Sequence, residues 1–114
     1  MASVLLIEDE TLIRMMIADM LAELGHSLVG EAGDLAGGLQ LAGAPDIHAA
    51  ILDVQLGADS SGPIAEALQS RGVPFAFATG YGSKGLPENF KNSLVLRKPF
   101  PLEELERCLK LLLG

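Results

Sequence analysis

A single cysteine, Cys108, excludes an internal disulfide and fits a reducing, cytoplasmic setting. Basic residues are scarce: eight Lys and Arg face fifteen Asp and Glu, a net charge of −7. That balance argues against gripping a nucleic-acid backbone. Long apolar runs are missing too, so no segment reads as a membrane span. No basic-then-apolar leader opens the chain, which speaks against secretion. Repeats, low-complexity stretches and a Pro/Ser-rich linker are absent, so residues 1–114 are expected to form one domain without an output domain. What is abundant is apolar side chain, 49% of the total, enough for a core and too much for a disordered chain.

The charge is unevenly spread. Residues 1–57 hold nine acids and only Arg14, whereas residues 58–114 hold six acids and seven bases. A solvated acidic surface is one cause of such asymmetry, and a site built from acids is another.

Strand and helix signals alternate along the chain. Val4-Leu5-Leu6-Ile7 is a short continuous apolar run ended by charge, as expected of a strand buried on both faces. Glu10 to Leu24 follows as a helix, with Leu12, Ile13, Met16, Ile17, Met20, Leu21 and Leu24 at helical spacing and Gly25 as a stop. Ser27 to Ala32 reads as a second strand. Asp34 to Ala42 is a weak helix with Asp34 as cap, since Gly37 and Gly38 lower its propensity. Ala49-Ala50-Ile51-Leu52 is a third strand that ends at Asp53. A polar loop over Gly57 to Gly62 leads into a helix from Pro63 to Gln69. Phe75-Ala76-Phe77-Ala78 and Leu94-Val95-Leu96 make the fourth and fifth strands. A closing helix begins at Pro101 and aligns Leu102, Leu105, Cys108, Leu109 and Leu112, so Cys108 reads as a small core residue. Between the last two strands, Gly80, Gly82, Gly85 and Pro87 leave space only for a short or frayed helix. A loop of that length in a compact domain points to function.

Five strands joined by helices predict an α/β fold, a parallel sheet covered on both faces by right-handed crossovers. Ligands of such sheets bind beyond the carboxyl ends of the strands. Glu8 and Asp9 follow the first strand, Asp53 the third, Thr79 the fourth and Lys98 the fifth. Three crowded carboxylates take up a proton or recruit a cation. Lys98 supplies one positive charge, a divalent ion would supply the other two, and oxygen ligands without His or Cys point to Mg²⁺. A carboxylate beside a divalent ion, a lysine and a hydroxyl suits phosphoryl transfer onto aspartate, with Lys98 and Thr79 as partners of the phosphoryl oxygens. Singly, each residue has an ordinary reading: the acids cap a helix, Asp53 ends a strand, and Lys98 is a surface cation. Their convergence on one sheet edge is the stronger signal.

These residues carry a family resemblance. Ile7-Glu8-Asp9-Glu10, Leu52-Asp53, Thr79 and Lys98-Pro99-Phe100 resemble, in order and spacing, the motifs of bacterial two-component response-regulator receiver domains. The resemblance covers essentially the whole chain. It implies a flavodoxin-like sheet of order 2-1-3-4-5. It also implies phosphorylation of Asp53 by a histidine kinase or histidine phosphotransferase. Mg²⁺ would be held by Asp9, Asp53 and the Gln55 backbone carbonyl, with Glu8 acting through water. Pro74 to Gly82 is similar to the Phe-Ala-Thr-Gly-X/Tyr signature of a single-domain subgroup linked to stress-response phosphosignalling. Its downstream partner would be another protein, with neither nucleic acid nor membrane involved.

Two departures stand out. The acidic pair is Glu-Asp rather than the commoner Asp-Asp, and Val95 occupies the position of the usual switch aromatic. Tyr81, flanked by Gly80 and Gly82, is the natural substitute, or else an ordinary loop aromatic. The Gly80–Asn92 loop is therefore the expected switch. Arg14, Met15 and Ala18, on the outward face of the first helix, are candidates for phosphodonor contact. Leu111 and Leu113 lie off the core stripe and mark either a partner surface or a chain end. His26 and His48, at no metal-ligand spacing, read as boundary residues. An aspartate-nucleophile phosphatase of the haloacid dehalogenase type is disfavoured because Gln55 stands where its second Asp belongs, and because the acidic pair comes first. A degenerate receiver would have lost a motif residue, and none is lost.

Overall fold

The computed structural model describes residues 2–80 and 85–114. In chain order the elements are β1 (Ser3–Ile7), α1 (Thr11–Glu23), β2 (Ser27–Ala32), α2 (Leu35–Ala42), β3 (Ala49–Asp53), β4 (Gln55–Leu56), β5 (Asp59–Ser60), α3 (Gly62–Ser70), β6 (Phe75–Thr79), β7 (Leu94–Arg97) and α4 (Leu102–Leu113). Five strands pair in parallel in the order β2-β1-β3-β6-β7, the predicted topology in its own numbering.

The apolar runs explain the layering. Alternate residues of a strand point to opposite faces, so a run without polar interruption needs cover on both. Leu5 and Ile7 of β1 pack with Ala50, Leu52 and Phe77 under α2 and α3, where Ile64, Ala65 and Leu68 are buried. Val4 and Leu6 face the other way, with Ile51 and Ala76, toward Ile17 and Leu21 of α1 and Leu105 and Leu109 of α4. Cys108 belongs to this second layer, and burial together with the nearby Glu104 charge pushes its thiol up to about 11. It stays protonated and inert at neutral pH.

α2 forms despite its two glycines because each serves a contact. The Gly37 amide donates to Asp34 Oδ1 at 2.7 Å, the expected cap. At Gly38 a Cβ would lie 2.4 Å from Ile64 Cδ1, so glycine permits α2 and α3 to approach closely.

Two expectations are corrected. Leu12 and Met16 share the apolar periodicity of α1 yet are 76% and 55% exposed, because only Ile17 and Leu21 lie deep in that interface. The loop predicted over Gly57 to Gly62 begins with a small antiparallel hairpin, β4 with β5, turning at Gly57 with φ +63°. Between β6 and β7 a short 3₁₀ turn, Glu88–Phe90, is in keeping with a short fourth helix. Phe90 of that turn packs edge-on against Phe75 and Phe77, at centroid distances of 5.6 and 5.9 Å. Among the described residues no helix is long and apolar enough to cross a membrane.

Candidate functional site

The chain leaves β1 to the β2 side first and crosses to β3 later, so a crevice opens beyond the ends of β1 and β3. Glu8 and Asp9 stand there directly after β1, and Asp53 is the last residue of β3. Thr79 ends β6, and its carbonyl accepts the Lys98 amide at 2.9 Å, holding the β6 and β7 ends in register. The five predicted residues thus meet at one edge. Asp9, Asp53, Thr79 and Lys98, together with Gln55 and Gly80, line a cleft of about 510 Å³.

Glu8 is almost fully buried, 1% exposed, and its longer arm reaches across the cleft: Lys98 Nζ donates to Glu8 Oε1 at 2.8 Å. The same ammonium lies 3.4 Å from Asp53 Oδ1. Carboxylate oxygens of Glu8, Asp9 and Asp53 all fall within 4.8 Å of one another. Such crowding has an electrostatic consequence. Burial, the hydrogen bond with Asp9 and the neighbouring Glu8 charge push Asp53 up to about 7, against the pull of Lys98. Burial opposes the charge on Lys98, but Glu8 and Asp53 together hold it above the ordinary lysine value. Asp9 is desolvated slightly, yet the Gly57 amide, donating to its Oδ2 at 2.9 Å, and its bonds with Asp53 and Glu8 keep it below the usual range. One lysine cannot balance three acids, so this oxygen-only cluster fits Mg²⁺. No second cluster of this kind occurs among the described residues.

Thr79 is buried at the cleft wall. Gln55 is exposed in β4, and its side-chain amide donates to the Gly57 carbonyl at 3.3 Å. Tyr81 lies outside the described residues, as does part of the predicted switching loop. Met15 is 56% exposed on α1, as an outward contact requires. Ala18 instead packs half-buried against the α1 layer, and Arg14 turns back to the Glu8 carbonyl and Glu31. His26 and His48 sit at the opposite end of the sheet, where each Nδ1 accepts a backbone N–H, from Ala2 and Ser3.

Two contributions escape sequence reasoning: the Gly57 amide, and the inward turn of Arg14, which was expected to face a phosphodonor. A Gly two residues beyond a potential ligand was the only signal for the first. For the second, the pairing with Gly33 is visible only in three dimensions.

Similarity to known proteins follows this geometry. The solution structure of SdrG from Sphingomonas melonis Fr1 is 41% identical, covers 100% of this chain and 98% of its own, and superposes with a TM-score of 0.88. The Erythrobacter litoralis PhyR response regulator REC domain is 26% identical over 98% of this chain and 89% of its own, at 0.86. The chain belongs to the response-regulator receiver family. This receiver is also 35% identical, over 95% of its length, to the transcriptional regulatory protein PdtaR of Mycobacterium tuberculosis. It spans about half of that relative, 55% of its length. No family model matches the receiver.

Proposed function

We propose that this receiver accepts a phosphoryl group on Asp53 from a phosphohistidine of a sensor kinase or histidine phosphotransferase, and that the phosphorylated form engages a protein partner. The observation that carries the reading is the approach of Lys98 to both Glu8 and Asp53 beside a three-carboxylate cluster at the C-terminal edge of a receiver sheet. Asp9, Asp53 and the Gln55 carbonyl would hold Mg²⁺. When bound, the ion neutralises phosphoryl oxygens that otherwise repel the nucleophile.

The chain's own groups account for the remaining requirements. An ionised Asp53 oxygen attacks phosphorus, an O–P bond forms and the N–P bond to the donor imidazole breaks. The second ring nitrogen of the phosphohistidine carries a proton, so the imidazole departs neutral and no proton is needed from the receiver. Lys98 transfers its contact from the acids to a phosphoryl oxygen, and the Thr79 hydroxyl donates to another. Because Thr79 directly precedes the Gly80–Asn92 loop, that contact couples phosphorylation to loop position. Exposed Met16 lines a groove of about 210 Å³ together with Ile13, Met20, Pro99 and Phe100, beside the cleft. An apolar helix of the phosphodonor would seat there and bring its histidine to Asp53. Stress-response signalling is the setting that the Phe-Ala-Thr-Gly-Tyr stretch supports, and the single cysteine fits a cytoplasmic one.

The test is transfer from a phosphorylated histidine donor with Mg²⁺ to the wild type and to Asp53→Ala. Label should enter the wild type alone. Equal labelling of both, or of neither, would remove the proposal.

A further inference from the structure

Arg14 occupies a built position behind the acidic edge. Its Nη1 donates to the Glu8 carbonyl oxygen at 2.7 Å, and its Nε lies 3.3 Å from Glu31 Oε1 at the end of β2. The guanidinium rests over Gly33, where a Cβ would stand 2.6 Å from Nη1 and 3.5 Å from the Glu8 oxygen. Glycine therefore leaves the notch that the guanidinium fills.

The contact completes the restraint of Glu8. Its amide donates to the Ala32 carbonyl at 3.0 Å, and its carboxylate is held by Lys98 and by the Glu10 amide at 3.1 Å. The carbonyl is the remaining polar group, and Arg14 takes it. Glu31 is 45% exposed, so that ion pair contributes little alone. The bond to the Glu8 carbonyl is charge-assisted and part-buried, hence the stronger of the two. The guanidinium holds its donors in a rigid planar fork that meets both acceptors in a set geometry, whereas a compact, rotatable ammonium fixes no such geometry.

We propose that Arg14, seated in the Gly33 notch, is a positioning residue that fixes the Glu8–Asp9 main chain so that the acidic pair is preset for Mg²⁺ and phosphoryl. The inference rests on the function proposed above. A charge-only role would act in the opposite direction, since a nearby cation weakens binding of another cation. Gly33→Ala separates the two roles. It keeps the arginine and its charge, but pushes the flexible end of the side chain off the carbonyl at little cost to the fold.

The experiment is calorimetric titration with Mg²⁺ of the wild type, Gly33→Ala, Arg14→Lys and the double variant, with metal-free thermal midpoints alongside. Gly33→Ala and Arg14→Lys should each weaken Mg²⁺ binding about tenfold, the lower end of what loss of an orienting partner does. Metal-free midpoints should stay near the wild-type value. The double variant should bind no more weakly than the weaker single variant, because both changes remove one interaction. Wild-type affinity in both single variants, or losses that multiply in the double variant, would overturn the inference while leaving the proposed function standing. A wild type that takes up no Mg²⁺ would overturn both.

Discussion

Burying Asp53 beside two other carboxylates is unfavourable whenever all three are ionised. Its proton affinity is raised to about 7 in the folded state against about 3.8 for an ordinary Asp. The folded protein therefore holds more protons than the unfolded chain between those values, so the Asp53 contribution to stability falls as pH rises through that window. In metal-free protein, denaturant titrations at pH 5 and pH 7 should show this loss, of the order of a few kcal/mol. Asp53→Asn should abolish it and be the more stable protein at pH 7. An equal loss in Asp53→Asn would assign the effect to other groups. Asp53 and Thr79 were legible in the sequence because a strand end is marked by the first polar residue after an apolar run, and Lys98 because it opens the Lys98-Pro99-Phe100 stretch just beyond β7. Arg14 was not, since helical spacing says which residues share a face but not where a long side chain bends. Nor does the sequence reveal that the longer arm of Glu8 meets Lys98 directly.

At the scale of elements, α2 illustrates how packing overrides propensity. Gly38→Ala should favour the isolated helix by about 1 kcal/mol. In the protein it should instead destabilise, by about 1–3 kcal/mol, because the new Cβ meets the buried Ile64 Cδ1. Adding Ile64→Val removes that atom, so the double variant should regain part of the loss, as read from denaturant midpoints. A stabilised Gly38→Ala would mean that α2 and α3 separate freely. The strands and α4 were readable because each is a compact apolar signal. The β4–β5 hairpin, with two residues per strand, is too short to carry any periodicity. In α1 the periodicity was real but misleading. Leu12 and Met16 keep the apolar spacing of an inward face on a stretch of helix that lies open to solvent.

The whole molecule connects these effects through charge. Of the nine acids in residues 1–57, Glu8, Asp9 and Asp53 converge on the cleft while their cation partner Lys98 arrives from the other half of the chain. A ligand that binds only the folded state stabilises it by mass action, by about 2.7 kcal/mol at a concentration 100 times its dissociation constant. Mg²⁺ should therefore raise the thermal midpoint at pH 7, and by much less in a variant carrying Asp9→Asn and Asp53→Asn. An equal rise in that variant would place the ion elsewhere. The fold order and the sheet edge were deducible from alternating strand and helix signals, whereas the angle at which the acids meet depends on packing that no linear pattern encodes. The most direct measurement locates the phosphoryl group itself. After transfer from a phosphohistidine donor, borohydride reduction of the acyl phosphate converts the modified aspartate to homoserine, which peptide mass spectrometry reads by position. The account predicts homoserine at position 53 alone; label retained on another residue, with Asp53 unmodified, would contradict it.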